Sequence, residues 1–455
     1  MKRIISLILC FVMVLSFAAC AQEQSSSTQT FEESKTEIDK ETKEEKKTEE
    51  EKKTEEKKEI VYATVNEPLT WDRINAIPIA NASMTTDELR QICIDLISLQ
   101  VSFTWVPEET LTYLVDRHGV NVTIEEGVLR GGIPYVNVAS GNVYRIMRYY
   151  DPETGHLDIS QLGVDKERFG TACSGSACWG WGRVVNSAKL SWTGNMTPAN
   201  GFIPVGPYET VGPEVTQFGH AFDGDPNPAT DCGDITNKNG EQVMFESYAL
   251  MHKADGLVNN GHVTMSSTEP VVVRKEDGTI DGEKSYLHWC EQGLYQTGES
   301  HTRTQADGTS YQIQGNVNLK RSFASLFKDG YLPFTFAEFL GTDPVEKGEA
   351  YLVKESGERV AGTGFSPMEL QTFKLESNYN ISDVYTIIRD PEGKVIVDYF
   401  KASANHFVRS FDMKSAFPAP AVAQFVKGDG YTVEISAMIS TGEKLVVYSS
   451  GILPN

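Results

Sequence analysis

Residues 170–181 read Gly-Thr-Ala-Cys-Ser-Gly-Ser-Ala-Cys-Trp-Gly-Trp, with thiols at Cys173 and Cys178. The stretch predicts a helix opening near Cys173 and running on through Trp181, with Gly170 and Thr171 as its turn and cap. A thiol on the first helical turn feels the partial positive charge of N–H groups that have no partner, which lowers its pKa. The same N–H groups offer a place for an oxyanion. Side chains five residues apart on a helix differ in direction by about 140°, so the two thiols cannot share one partner. Cys173, at the helix start, is the expected nucleophile, and Cys178 is expected to pack beside Trp179.

A nucleophilic thiol needs a base from another element, and the edge of a strand behind a tight turn is a stiff mount for one. The segment Asp255-Gly-Leu-Val-Asn-Asn-Gly-His-Val-Thr-Met-Ser266 predicts an antiparallel hairpin turning at Asn-Asn-Gly. His262 stands just behind that turn. A third polar group then orients the imidazole, as in triads generally. His220 and His288 compete for the role and are expected in loop or surface positions. Upstream, Gly-Gly-Ile-Pro-Tyr at 131–135 predicts a tight turn running into Tyr135.

These segments resemble the NlpC/P60 superfamily and the related CHAP amidases. Phe169-Gly-Thr-Ala-Cys173-Ser-Gly is similar to the pattern aromatic-Gly-x-Asp-Cys-Ser-Gly, Gly261-His262-Val263 to that superfamily's Gly-His-Val, and Gly132-Ile-Pro-Tyr135 to the Gly-x-Pro-Tyr that supplies a site tyrosine. Tyr286-Leu-His-Trp-Cys-Glu291-Gln-Gly resembles the CHAP strand that carries the third residue. The likeness spans roughly residues 130–295. It implies a papain-like NlpC/P60 catalytic domain in which Cys173 attacks, His262 carries the proton and Glu291 orients the imidazole. It also implies Tyr135 beside the site and cell-wall (peptidoglycan stem) peptides as substrate. Trp179 or Trp181 and the Gly-, Pro- and Asn-rich loop at 190–240 are expected to shape the substrate groove.

Several features depart from that pattern. Ala172 stands where the family has Asp, Tyr135 lies 38 residues before Cys173, and Glu291 follows His262 by 29. Ser-Ala-Cys178-Trp imitates the Gly-Ser-Cys-Trp of papain-like proteases, although no Asn-Ser-Trp follows the histidine. Two other readings therefore stay open: a non-catalytic surface lipoprotein that binds wall or host ligands, and a protease acting on polypeptides.

The chain starts Met-Lys-Arg, continues with an apolar run and reaches Phe17-Ala-Ala-Cys20. That is the layout of a signal peptide over residues 1–19, and its end resembles a lipobox, which implies a lipid on Cys20 and a hold on the outer face of a bacterial membrane. Residues 20–59 form a charged spacer of near-repeats such as Thr48-Glu-Glu-Glu-Lys-Lys, too polar to bury a core. Glu49 and Lys53 sit four apart in the favourable orientation for a solvated helix.

The 455 residues carry a formal charge of −22, which opposes binding to nucleic acid. Beyond Cys10 and Cys20 the cysteines are Cys93, Cys173, Cys178, Cys232 and Cys290. An odd number in a chain this long argues against a disulfide framework, though a Cys232–Cys290 bridge stays open. No Cys-x-x-Cys pair or His-Glu-x-x-His is present, so no metal and no cofactor is expected; Asp223, Asp225 and Asp231 do not complete a calcium loop.

The expected fold class is α+β, with a catalytic domain and its lead-in over 60–338 and an Ig-like β-sandwich over 339–455. In the lead-in, Thr85-Thr-Asp-Glu-Leu-Arg-Gln-Ile-Cys begins with a capped helix whose Leu89, Ile92, Leu96 and Leu99 share one face. After residue 340, strand-like runs recur, with Asp390-Pro-Glu-Gly-Lys394 as a hairpin turn.

Overall fold

The computed structural model describes residues 60–115, 120–136, 141–160, 169–219, 227–293, 302–361, 364–402, 407–417, 426 and 428–452. The signal peptide, Cys20, the spacer, His220, Asp223 and Asp225 lie outside them. The fold is mixed α+β, with several sheets and few helices. Among the described residues no helix is long and apolar enough to cross a membrane.

Helix α1 spans Thr86–Ser102 and is opened by a capping box, in which Thr85 Oγ1 accepts from the Glu88 N–H and the Glu88 carboxylate accepts from the Thr85 N–H at 2.8 Å. Its burial exceeds one stripe, because Ile94, Ile97, Gln100 and Val101 are covered along with Leu89, Ile92, Leu96 and Leu99. Helix α2 spans Cys173–Trp181, and every one of its residues is buried.

Both helices pack on a six-stranded antiparallel sheet. Its strands are β1 Ile203–Pro204, β2 Gly256–Val258, β3 Val263–Ser266, β4 Tyr286–Gln292, β5 Gly315–Ser322 and β6 Leu332–Thr335, in the spatial order β5-β4-β3-β2-β6-β1. A buried ion pair at 2.6 Å, Arg90 to Asp255, ties α1 to the residue that leads into β2. A five-stranded sheet lies beside this body, in the order Thr302–Thr304, Ser310–Ile313, Arg130–Gly131, Thr104–Pro107, His156–Leu157. The 190–240 region, expected as a long loop, carries short elements among its described residues. It holds 3₁₀ turns at Thr193–Asn195 and Pro198–Asn200, strand β1, and a helix at Cys232–Asn239 whose N-cap is Asp231.

Beyond Glu338 a three-stranded and a four-stranded antiparallel sheet share a second core, built on Leu352, Leu375, Val384, Ile388, Phe411, Ile435 and Ile439. The hairpin turn at Asp390–Lys394 forms as expected: the Asp390 N–H donates to the Lys394 carbonyl at 2.9 Å, and the Lys394 N–H donates to the Asp390 side chain at 2.8 Å. Residues Glu59–Asn455 form one compact unit, and Val345, Tyr385 and Met438 from this C-terminal stretch pack into the first core.

Charged and polar groups join those cores. Arg145 meets Asp383 at 2.8 Å with both side chains fully buried, and Arg148 stacks over Phe400 at 4.2 Å. Arg183 donates to the Thr441 carbonyl, and Ser440 Oγ donates to the Gly182 carbonyl at 2.8 Å. Removing one partner of a buried pair strands the other charge, at a cost of about 3–5 kcal/mol. Asp383→Ala should lose that much stability in urea titrations, whereas the apolar double variant Arg145→Met/Asp383→Leu should lose clearly less. A single-variant loss below about 1 kcal/mol would mean the pair does not join the cores.

Candidate active site

The Cys173 helix starts abruptly. Its N-cap is Ala172, in an extended conformation, and no side chain caps the first turn. This corrects the expectation for Thr171, which is buried one residue earlier and pairs in parallel with Tyr135. The backbone there is tightly seated: a Cβ on Gly170 would stand 2.0 Å from Val136 Cγ2, so only glycine fits. Gly132, at φ +73°, makes the turn that brings Ile133 to Tyr135 alongside.

His262 is set by its turn. Asn259 Oδ1 accepts from the N–H groups of Gly261 and His262 at 3.0 and 2.8 Å, and the Asn259 N–H closes the hairpin on the His262 carbonyl. Val258 and Val263 then pair as β2 and β3 diverge from it. Asn260 reaches the other way, accepting from the Cys232 N–H at 2.8 Å and donating to Asp231. Four residues of turn are thus pinned on both sides, and His262 leaves it with little freedom.

The ring of His262 joins two acids. Its Nε2 lies 2.8 Å from Glu291 Oε2, and the Cys173 thiol is close enough to the ring for each group to shift the other's proton affinity. Glu291 is 3 % exposed, His262 24 % over its side chain and Cys173 6 %. Glu291 sits near the end of β4, and its second oxygen accepts from Asn316 Nδ2 at 3.0 Å across the β4–β5 ladder. The structure therefore brings Cys173, His262 and Glu291 together in one line.

The electrostatics follow from that line. Burial opposes the Cys173 thiolate, but the His262 charge and hydrogen bond, with the Val263 and Ser174 N–H groups, outweigh it and hold the thiol below its ordinary value. Burial likewise opposes an imidazolium, yet the Cys173 sulfur and the Glu291 carboxylate together raise His262 above the usual histidine range. Cys178 is different: burial pushes its thiol up, and its Sγ donates to the Ser191 carbonyl at 3.1 Å. Burial also pushes up Cys93, Cys232 and Cys290. All five are free thiols, so the open Cys232–Cys290 bridge is not made.

Other expected residues divide. Tyr135 lies close enough for the Cys173 charge to raise its hydroxyl further, after burial has done most of it. Trp179 does not face a groove: it is 1 % exposed and packs edge-on against Tyr144. Trp181 is fully covered, donating from Nε1 to the Ala254 carbonyl at 2.8 Å. Both indoles lie in the core because α2 is wrapped on every side. His288 packs against Tyr286 and near Thr268. A cavity of about 520 Å³ is lined by Lys189, Asn200, Phe407 and Arg409 among others, and none of the three aligned residues lines it. Asn316 and Tyr331, both beside Glu291, carry no motif that would mark them in the sequence.

The chain matches no protein-family model and no curated protein sequence.

Because Cys173 is lowered and His262 raised, the thiolate–imidazolium pair persists between their folded pKa values. Reactivity should appear as pH rises through the lowered Cys173 value and hold until His262 gives up its proton, above the ordinary imidazole range. Iodoacetamide at about pH 6, where a thiol of pKa about 8.5 is scarcely ionised, should label Cys173 and spare Cys178, as read by peptide mass spectrometry. Labelling of Cys178 first would reverse the assignment.

Proposed function

We propose that this protein is a cysteine hydrolase of papain-like, NlpC/P60 type that cleaves an amide bond in cell-wall peptide, held by a lipid on Cys20 at the outer face of a bacterial membrane. The C-terminal pair of sheets is then its Ig-like accessory sandwich. The observation that carries the reading is the His262 imidazole set between the Cys173 thiol, whose pKa it lowers, and buried Glu291, 2.8 Å from its Nε2. A cysteine on the first turn of a helix, packed on an antiparallel sheet that presents the histidine, is the arrangement such chemistry needs.

The reaction runs from these residues. The Cys173 thiolate attacks the carbonyl carbon, forming an S–C bond as the π electrons move to oxygen. N–H groups of the uncapped first turn stabilise that oxyanion. On collapse the C–N bond breaks and the amine leaves with the proton from His262, giving a thioester. Neutral His262 then takes a proton from water, hydroxide adds to the thioester, and the thiolate departs. Glu291 holds the ring in the tautomer and orientation both steps require. The wall peptide as substrate rests on the likeness in the 130–295 segment and on the lipobox.

The test is digestion of purified muropeptides by the full chain, reading new amino groups. Cys173→Ala and His262→Ala should abolish release, and Glu291→Gln should lower kcat by on the order of 10²- to 10⁴-fold. Cleavage of unfolded casein without muropeptide release would make it a polypeptide protease. An unreactive Cys173 with no cleavage of either would leave a binding protein.

A further inference from the structure

The line of hydrogen bonds does not stop at Glu291. Asn316 is 1 % exposed and stands directly across the ladder from Glu291. Its Nδ2 donates to Glu291 Oε1 at 3.0 Å, while its Oδ1 accepts from Arg303 Nη2 at 3.0 Å. A guanidinium only donates, so Arg303 fixes which end of the amide points where: the oxygen must face Arg303 and the N–H must face the carboxylate. The two carboxylate oxygens are then divided, Oε1 to Asn316 and Oε2 to His262.

The backbone is shaped for this contact. Between Asn316 and Leu319 the β4–β5 register shifts by one residue, and Asn318 takes φ +60°. Three residues apart, Asn316 and Leu319 would point to opposite faces of a regular strand; the bulge instead sets them opposite Glu291 and Trp289, which are two apart. Arg303 arrives from the other sheet, on the hairpin Thr302–Thr304 with Ser310–Ile313.

We propose that Asn316, its amide oriented by Arg303, is a positioning residue that keeps Glu291 ionised and thereby keeps His262 charged beside Cys173. The inference rests on the hydrolase reading. A carboxylate buried this deeply is costly unless donors meet it, and a donor to the charged form lowers its proton affinity. If the donor is removed, Glu291 takes up a proton more easily. His262 then loses its counter-charge, and the Cys173 thiolate loses the cation that stabilises it. Among the described residues, the other ionisable groups that feel this line include Tyr331, which feels Glu291, Cys173 and Arg321, Cys290 next to Glu291 on β4, Tyr135 beside Cys173, and Cys178, whose thiol burial also keeps protonated. All three of Tyr331, Cys290 and Tyr135 have protonation equilibria pushed up by burial, so they remain neutral across the range tested.

The experiment follows the iodoacetamide rate at Cys173 against pH in the full chain, from about pH 4 to pH 9, a span that brackets the ordinary imidazole and thiol ranges. The variants are Asn316→Leu, Asn316→Asp and Arg303→Met, each with its thermal melt. Asn316→Leu should move the acid limb of the Cys173 profile up by on the order of one pH unit. Asn316→Asp, which faces the carboxylate with acceptors only, should move it further, and Arg303→Met less but in the same direction. Arg303→Met leaves the β4–β5 ladder intact, so it stands in if the Asn316 variants fail to fold. Lowered melts with an unmoved limb would overturn the proposal and leave the hydrolase reading standing. An ordinary thiol profile in the unaltered chain would overturn both.

Discussion

The hydrogen-bonded imidazole of His262 is the contact on which the site depends, because it requires three separate pieces of chain to arrive at one point. Cys173 comes from a helix start, His262 from a hairpin turn and Glu291 from the end of a central strand. None of these is held by the others alone. The helix is seated by Gly170 against Val136, the turn by Asn259 and Asn260, and the strand by its pairing on both sides. Burial then turns modest contacts into a strong electrostatic coupling, since little water remains to screen the sulfur, the ring and the carboxylate.

That coupling sets the two thiols of the helix apart. Two thiols five residues apart point in different directions, and only one meets a cation. Cys178 finds a carbonyl oxygen instead, which a neutral thiol can satisfy by donating. Identical side chains thus end in opposite states through their neighbours, one favoured as thiolate and the other as thiol.

Much of this was readable in the residues, and the exceptions have physical reasons. The Asn-Asn-Gly turn is a local signal, and it forms where expected, as does the capped helix at Thr85. Leu89, Ile92, Leu96 and Leu99 share a buried face, but that helix is covered more widely than one stripe because a second helix and the sheet enclose it. Thr171 looked like a cap because threonine commonly is one; its pairing with Tyr135 turns it away from the helix. Trp179 looked like a groove residue because large aromatics often line grooves, yet exposure is decided by elements far away in sequence. The three-residue strand Ser410–Asp412 is too short to show alternation. Asn316 and Arg303 were invisible for another reason: their meeting depends on a bulge in one strand and on a hairpin from a different sheet.

The bonds from Ser440 and Arg183 that reach across to the Cys173 helix bear on how such a chain can be recombined. Gly182 ends that helix, and its carbonyl is held by a hydroxyl from the C-terminal sheets, while the neighbouring Arg183 donates to a carbonyl there. The C-terminal part is therefore not an interchangeable cassette. A graft of a different module, or a natural exchange of gene segments at this junction, must bring its own acceptors for Arg145 and Arg183 or leave two guanidinium groups stranded in the protein interior. Lineages that lengthen or swap this end of the chain would have to alter residues 145 and 183 in step.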